Sequence, residues 1–287
     1  MTAERYHCLD IAFAVEQRDL ITRLLWELDS IGFEELGEEG RRRVLAYFEP
    51  DVNIEQVCSR LRSAISSSGT DVSIEAHSIA YDSARWIEEY NLTFTGFEVN
   101  STFWIHPPWE ERSDDHPVNI LIEPGHGFGT GTHESTQLAL VAMVDIVPDV
   151  ESVADVGTGS GILTAAAAKL GPGLRIVAFD ADPLAVEAAS KTFRQNNVEG
   201  VVLFAGEIES LAGRFDLILA NLTSAILSSL ADDLIRRTGK YLIASGFTLD
   251  EADRVKEDLE KGNFLRCSEQ WTKNGWACWL LRKCEES

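Results

Sequence analysis

The sequence predicts a two-part α/β chain: a doubly wound, mostly parallel sheet over its second half, preceded by a small α+β sandwich. Three observations carry this expectation. From Asn119 onward, short apolar runs alternate with helical periods, the pattern of strands buried on both faces and crossed over by helices. The last two runs are separated only by Thr272-Lys273-Asn274-Gly275, and Asn-Gly in such a gap is a strong hairpin signal. The first part reads strand, helix, strand, strand, helix, strand, the order of a ferredoxin-like sandwich.

In chain order, residues 6–15 read as a strand, and 18–31 as a helix with Ile21, Leu24, Leu25 and Leu28 on one face and Gly32 at its end. Residues 32–36 and 44–48 suit a hairpin, 54–65 a second helix and 72–79 a fourth strand. After a short helix over 84–90 comes Phe103-Trp104-Ile105-His106-Pro107-Pro108-Trp109, where the proline pair forbids a helix and favours an extended connector. The expected division is a recognition domain over 1–95, a linker over 96–118 and a larger domain over 119–287. In the larger domain, strands are expected at 120–122, 152–156, 175–179, 201–204, 215–220, 241–245, 264–271 and 276–281. Helices are expected at 136–147, 161–170, 183–196, 225–237 and 249–260.

Composition excludes several classes. The chain has 25 Lys+Arg against 47 Asp+Glu, a formal net charge of -22, which repels a phosphate backbone and admits basic partners. Its five cysteines are odd in number and show no Cys-x-x-Cys spacing, so neither a disulfide framework nor a zinc knuckle is indicated. Charged residues interrupt the first twenty positions, and no apolar run is long enough for a bilayer. These features read as a cytoplasmic protein without membrane or direct nucleic-acid partners. His126 and His133 lack a third ligand, so no metal is expected; His106 and His116 are read as structural.

Chemistry concentrates in four segments. Asp155-Val156-Gly157-Thr158-Gly159-Ser160-Gly161-Ile162 closes one strand and opens an alanine-rich helix, a turn where glycines admit a ligand close to the backbone. Its Gly-x-Gly-x-Gly spacing departs from the dinucleotide pattern; taken alone it also suits another nucleotide loop or packing glycines. Asp180, about 20 residues past the turn at the end of the next strand, is placed to accept both hydroxyls of a ribose. Asp182 before Pro183 suits a helix cap. Asn221 ends the strand Phe215-Asp216-Leu217-Ile218-Leu219-Ala220, where open α/β sheets bind ligands. Its side-chain oxygen can accept a hydrogen bond from a neutral amine, although Asn is also a common turn residue. The stretch 123–136, Glu-Pro-Gly-His-Gly-Phe-Gly-Thr-Gly-Thr-His-Glu-Ser-Thr, is a glycine-rich loop that can close over a ligand. Thr132 is the expected helix cap there, with the Thr136 hydroxyl turned to the cofactor.

Together these segments resemble the PrmA family, methyltransferases of large-subunit ribosomal protein eleven. The family pattern is an acidic residue, Pro-Gly, Phe-Gly-Thr-Gly-Thr-His and a Thr pair, then Asp-x-Gly-x-Gly-Ser-Gly-Ile-Leu, Asp-x-Asp-Pro and Ala-Asn with an aliphatic residue. Here it spans 123–136, 155–163, 180–183 and 220–222. Gly127, Thr158 and Ser135 depart from it, and the first half agrees in layout rather than in residues. The resemblance implies a class I, seven-stranded methyltransferase domain that uses S-adenosyl-L-methionine, with Thr136, Gly157, Asp180 and Asn221 at cofactor-contacting positions. Gly159 joins them from the turn itself. It further implies an N-terminal domain that holds the ribosomal protein while lysine ε-amines and an N-terminal α-amine are methylated. Asn221 is the expected amine-positioning residue. The rival readings are the same chemistry on a non-ribosomal protein lysine or a small-molecule amine, a non-catalytic methyltransferase-like binding module, and a nicotinamide oxidoreductase.

Overall fold

The computed structural model describes residues 5–14, 17, 21–22, 24–25, 28, 30, 32–38, 41–49, 52–66, 73–80, 94–123 and 131–284. The chain divides into two compact units, Met1–Asn91 and Leu92–Ser287.

In the first unit, β1 (Arg5–Ala14), β2 (Gly32–Glu38), β3 (Arg41–Phe48) and β4 (Ser73–Ala80) form a sheet of order β2-β3-β1-β4. The pairings of β1 with β3 and β4, and of β2 with β3, are all antiparallel, which is the ferredoxin-like arrangement expected. Alternation explains its core: Leu9, Ile11 and Phe13 of β1 are buried with Val44, Ala46 and Phe48 of β3. Helix α1 (Ile54–Ser66) adds Val57, Cys58 and Leu61, three and four residues apart on one face. Ile21, Leu25 and Leu28 complete this cluster, and residues 21–22 and 24–25 are helical. The helix expected at 84–90 lies outside the described residues.

The second unit opens with a three-stranded sheet, β5 (Phe97–Val99), β6 (Phe103–His106) and β7 (Val118–Leu121). Residues 96–118, expected as linker, thus carry two paired strands of this unit. The apolar run around Ile120 joins β6 in parallel rather than the large sheet; a short run's burial does not reveal its partner. His106 is buried with Nδ1 3.0 Å from its neighbour's carbonyl, that of Pro107, and His116 stacks on Trp104.

Next come α2 (Glu134–Met143), β8 (Ser152–Val156), α3 (Ile162–Leu170), β9 (Arg175–Asp180), α4 (Pro183–Gln195), β10 (Val202–Ala205) and β11 (Phe215–Asn221). The chain finishes with α5 (Ser224–Arg237), β12 (Thr238–Thr248), α6 (Ala252–Leu259), β13 (Leu265–Lys273) and β14 (Trp276–Lys283). The seven strands run in the order β10-β9-β8-β11-β12-β14-β13. The first five are parallel, and β14 lies antiparallel between β12 and β13. All five residues of β8 are buried, so the middle of the sheet is covered on both faces. The closing hairpin turns on two residues, Asn274 and Gly275, with φ of 49° and 84°. Positive φ at both positions belongs to the turn whose twist matches paired strands. Because β8 and β11 are sequence-distant neighbours, strand order reverses between them, and ligand crevices form outside the carboxyl ends at such a switch. Among the described residues no helix is long and apolar enough to cross a membrane.

Candidate active site

The carboxyl ends of β8, β9 and β11 bring the expected residues to one edge of the sheet. After Val156 the chain turns back under β9: Gly157 and Thr158 both donate their N–H to the Phe179 carbonyl at 3.0 Å. Gly157, Gly159 and Gly161 have φ of 71°, 54° and 79°, conformations that L side chains avoid. Gly161 has a packing duty: a Cβ there would lie 2.7 Å from the Phe193 ring and 3.0 Å from the Ala189 backbone, so its bareness lets α3 lie against α4.

Asp180 ends β9 beside this turn. One carboxylate oxygen accepts the Gly159 N–H at 2.9 Å and the other the Asp182 N–H at 3.1 Å. Each oxygen keeps a further acceptor direction for a ligand hydroxyl. Asp182 caps α4 through the Leu184 N–H at 2.8 Å with Pro183 in the first turn, as expected.

Asn221, half-buried, ends β11. Its Nδ2 donates to the Thr136 hydroxyl at 3.1 Å across 85 positions of sequence, and its side-chain oxygen has no partner among the described residues. Thr136 is buried in the first turn of α2, so its hydroxyl meets the Asn221 amide. The cap of α2 is His133 rather than the expected Thr132: the imidazole Nδ1 accepts the Ser135 N–H at 3.3 Å and lies 2.7 Å from the Ser135 hydroxyl. Thr132 instead offers its carbonyl to Gln137 at 2.8 Å. The His133 ring stands edge-on to Trp276 of β14 at 4.3 Å. Burial lowers its pKa, with the Glu134 charge opposing, which keeps Nδ1 available as an acceptor near neutral pH. Asn274 bonds Glu134 at 3.0 Å, Lys273 bonds Gln137 at 2.6 Å, and the buried Ser245 hydroxyl donates to the Ser135 carbonyl at 3.0 Å. The terminal hairpin therefore braces the turn that carries Thr136. On the other side, Glu123 pairs with Lys191 of α4 at 2.7 Å, and the Asn196 amide bonds both backbone groups of Leu121. Residues 124–130 between these anchors, including His126, lie outside the described residues.

Asp155, to which motif spacing alone assigns no role, lies directly behind the turn. It is 1% exposed, and one oxygen accepts the hydroxyls of Thr158 (2.8 Å) and Thr164 (2.7 Å). Desolvation pushes its pKa up to about 6; the two hydroxyls pull it down and the Asp180 charge adds to the rise. The available signal was an acid in an otherwise apolar strand with hydroxyls three and nine positions on. At the opposite, amino-terminal edge of the sheet lies a crevice of about 790 Å³ bordered by Glu151, Arg175, Arg214 and Asp216. It mixes both signs of charge and is remote from all the residues above.

A family described as ribosomal protein L11 methyltransferase (PrmA) matches residues 7–284. A protein of that name from Dechloromonas aromatica is 36% identical over 216 residues, covering 74% of this chain and 71% of its own. One from Bacillus cytotoxicus is 34% identical over 231 residues, covering 77% and 74% respectively. The crystal structure of the ribosomal protein L11 methylase from Lactobacillus delbrueckii subsp. bulgaricus superposes with a TM-score of 0.61 at 28% identity, over 67% of this chain and all of that one. The glycine turn, the Asp180 strand end, the Asn221 strand end and the seven-stranded order thus sit in a chain that belongs to the ribosomal protein L11 methyltransferase (PrmA) family, S-adenosylmethionine-dependent enzymes.

Proposed function

We propose that this chain methylates lysine ε-amines, and the N-terminal α-amine, of large-subunit ribosomal protein L11, with Asn221 as the residue that positions the amine. The observation that carries the role of Asn221 is its divided amide: Nδ2 is committed to Thr136 while the oxygen remains open at the carboxyl edge of the sheet.

The site suits an adenosine-bearing cofactor. Gly157 and Gly159 leave the turn bare where a ligand passes the backbone, and Asp180 retains acceptor capacity for ribose hydroxyls. S-adenosylmethionine supplies a methyl group on a sulfonium sulfur, a good leaving group for in-line displacement. The protein's contribution is then chiefly position. The Asn221 oxygen accepts a hydrogen bond from a neutral amine and so aims the nitrogen lone pair, while Thr136 fixes the carboxamide plane. A lysine of reference pKa about 10.4 reaches the neutral form through desolvation at the closed site and releases its proton to solvent. Residues 1–95 serve as the recognition domain and 119–287 as the catalytic one. The chain's charge of -22 suits a basic protein acceptor in the cytoplasm.

The test is transfer of labelled methyl from S-adenosylmethionine to purified L11. Asn221→Ala at saturating cofactor is expected to lower turnover about 100-fold, the scale of a misplaced reactant. Unchanged turnover would remove Asn221 from the mechanism. Deleting residues 1–95 is expected to abolish transfer to L11 while cofactor binding persists.

A further inference from the structure

Two turns leave the sheet beside Asn221, on the side away from the glycine turn of β8. Their strands end in register: Asn221 of β11 pairs with Ser245 of β12, and the Leu222 N–H donates to the Ser245 carbonyl at 2.9 Å. Beyond that point β11 passes through Thr223 into α5, and β12 ends at Thr248 shortly before α6. Glu251 fastens one turn to the other. One of its carboxylate oxygens accepts the Ser224 hydroxyl at 2.5 Å, and the other accepts the Thr248 N–H at 2.9 Å and the Thr248 hydroxyl at 3.0 Å. Burial raises its pKa, but the bonds from Ser224 and Thr248 outweigh burial, so the net displacement is downward and the clasp stays ionised at neutral pH. A further tie reaches the terminal hairpin, where the Leu249 N–H donates to the Gly275 carbonyl at 2.9 Å. What this clasp holds up is apolar. Ile226 in the first turn of α5 and Leu249 between β12 and α6 are 43% and 51% exposed, among the few large apolar side chains so placed in the described residues. A single exposed leucine needs no explanation. Here two flank one clasp, each two positions from an end of it, at the edge of the sheet where the Asn221 oxygen lies open.

We propose that Leu249 and Ile226 form the apolar wall along which the acceptor lysine lays its methylene stem, and that they set the preference of this site for a side-chain ε-amine. The proposal rests on the transfer to L11 proposed above. A lysine that brings its nitrogen to the Asn221 oxygen must pass its four-carbon stem along one side of the approach, and such stems lie on apolar surface while the nitrogen reaches beyond it. The sides of the approach differ in chemistry. Toward α2 they are polar, with Glu134 bonded to Asn274 and Lys273 bonded to Gln137. Toward β12 and α5 stand Leu249 and Ile226. A wall held by the Glu251 clasp and by the Gly275 carbonyl is fixed before the lysine arrives, so contact with it restricts the stem and aligns the nitrogen for in-line attack. An N-terminal α-amine is attached to the main chain and brings no such stem, so it gains nothing from this wall.

The experiment measures methylation rates at individual amines of purified L11 by peptide mapping, at saturating S-adenosylmethionine, for the full chain and for Leu249→Ser and Ile226→Ser. Both positions are exposed, so the substitutions leave the core intact, and calorimetric binding of S-adenosylmethionine confirms that each variant is folded. Each serine variant is expected to lower the lysine rates about ten-fold, the lower end of what one methylene contact is worth in an apolar pocket, and to change the α-amine rate less than about two-fold. Leu249→Met, which restores an apolar contact, is expected to recover most of the loss. Phe264→Ser is the control, since Phe264 is 54% exposed but precedes β13 at the opposite edge of the sheet; it is expected to leave every rate unchanged. Lysine rates in the serine variants equal to those of the unmodified chain overturn the proposal, and so does an equal fall at lysines and at the α-amine. Absence of any transfer to L11 by the unmodified chain overturns the acceptor reading, and this proposal with it.

Discussion

Replacing Gly246 with alanine tests whether backbone contact, rather than side-chain packing, holds Asn221 in place. Gly246 lies in β12 at the register shift between Ser245 and Phe247, with φ of 96°. A Cβ there would stand 2.3 Å from the Leu222 carbonyl oxygen, 2.8 Å from its carbon and 2.9 Å from its nitrogen. These are main-chain atoms, and Leu222 N–H is already committed to the Ser245 carbonyl at 2.9 Å, so no rotamer change relieves the overlap. Positive φ alone costs an L residue about 1–2 kcal/mol, and forced displacement of packed atoms adds roughly 1–3 kcal/mol. Gly246→Ala should therefore destabilise by about 2–5 kcal/mol, and the shift of Leu222 carries Asn221 away from Thr136. Gly173→Ala is the internal control: its φ is 94° but nothing lies within 4 Å of its added Cβ, which leaves only the conformational cost of about 1–2 kcal/mol. Equilibrium urea unfolding of both variants gives the two costs, and methyl transfer at saturating cofactor gives the positional effect. Equal losses of stability in the two variants, with turnover retained in Gly246→Ala, would mean that the Leu222 backbone does not hold Asn221 in place.

Further outcomes follow from the same geometry. His133→Ala should lose about 1 kcal/mol of helix capping and lower turnover, and His133→Asn should restore both because Asn also caps; failure of the asparagine to rescue would mean that the ring's contact with Trp276 matters more than the cap. Asp155 has its folded pKa raised from 3.8 to about 6, so its ionised form opposes folding; the penalty grows as pH rises between those values and is fully present above about 6. That displacement corresponds to about 3 kcal/mol, so Asp155→Asn should stabilise the ligand-free chain at pH 8 and not at pH 4, as read by urea unfolding at both. Burial pushes the Cys278 thiol up to about 12; thiol labelling at pH 8 should spare it until the chain unfolds, and rapid labelling in the folded state would contradict its burial.

Much of the larger unit was legible because its strands are short, apolar and separated by helical periods. The stretch 152–156 reads as a fully buried strand and is one, and Asn274-Gly275 gives the hairpin that separates this sheet from a dehydrogenase. Boundaries were less legible where side chains far along the chain decide them. Helix α6 starts at Ala252 rather than near 249 because the Glu251 carboxylate binds the Thr248 N–H and hydroxyl and holds a turn there. Helix α2 starts at Glu134 because His133 caps it, a duty that propensity assigns to Thr132. In the site, the glycines and Asp180 announced themselves by spacing from one strand end to the next. The bond from Asn221 to Thr136 did not, since 85 positions separate the partners. Asp155 stood in the motif from the outset, but its significance lies in burial and in the lack of a cation, both tertiary quantities.

Transfer of methyl groups to amines of L11 would show as a change in the mass of L11. Intact-mass spectrometry of purified L11, after incubation with the enzyme and S-adenosylmethionine, measures that directly. Stepwise additions of one methyl mass are expected, accumulating about 100-fold more slowly with Asn221→Ala. An unchanged L11 mass, in a sample where calorimetry shows the cofactor bound, would contradict transfer to L11 and assign the methyl group to another acceptor.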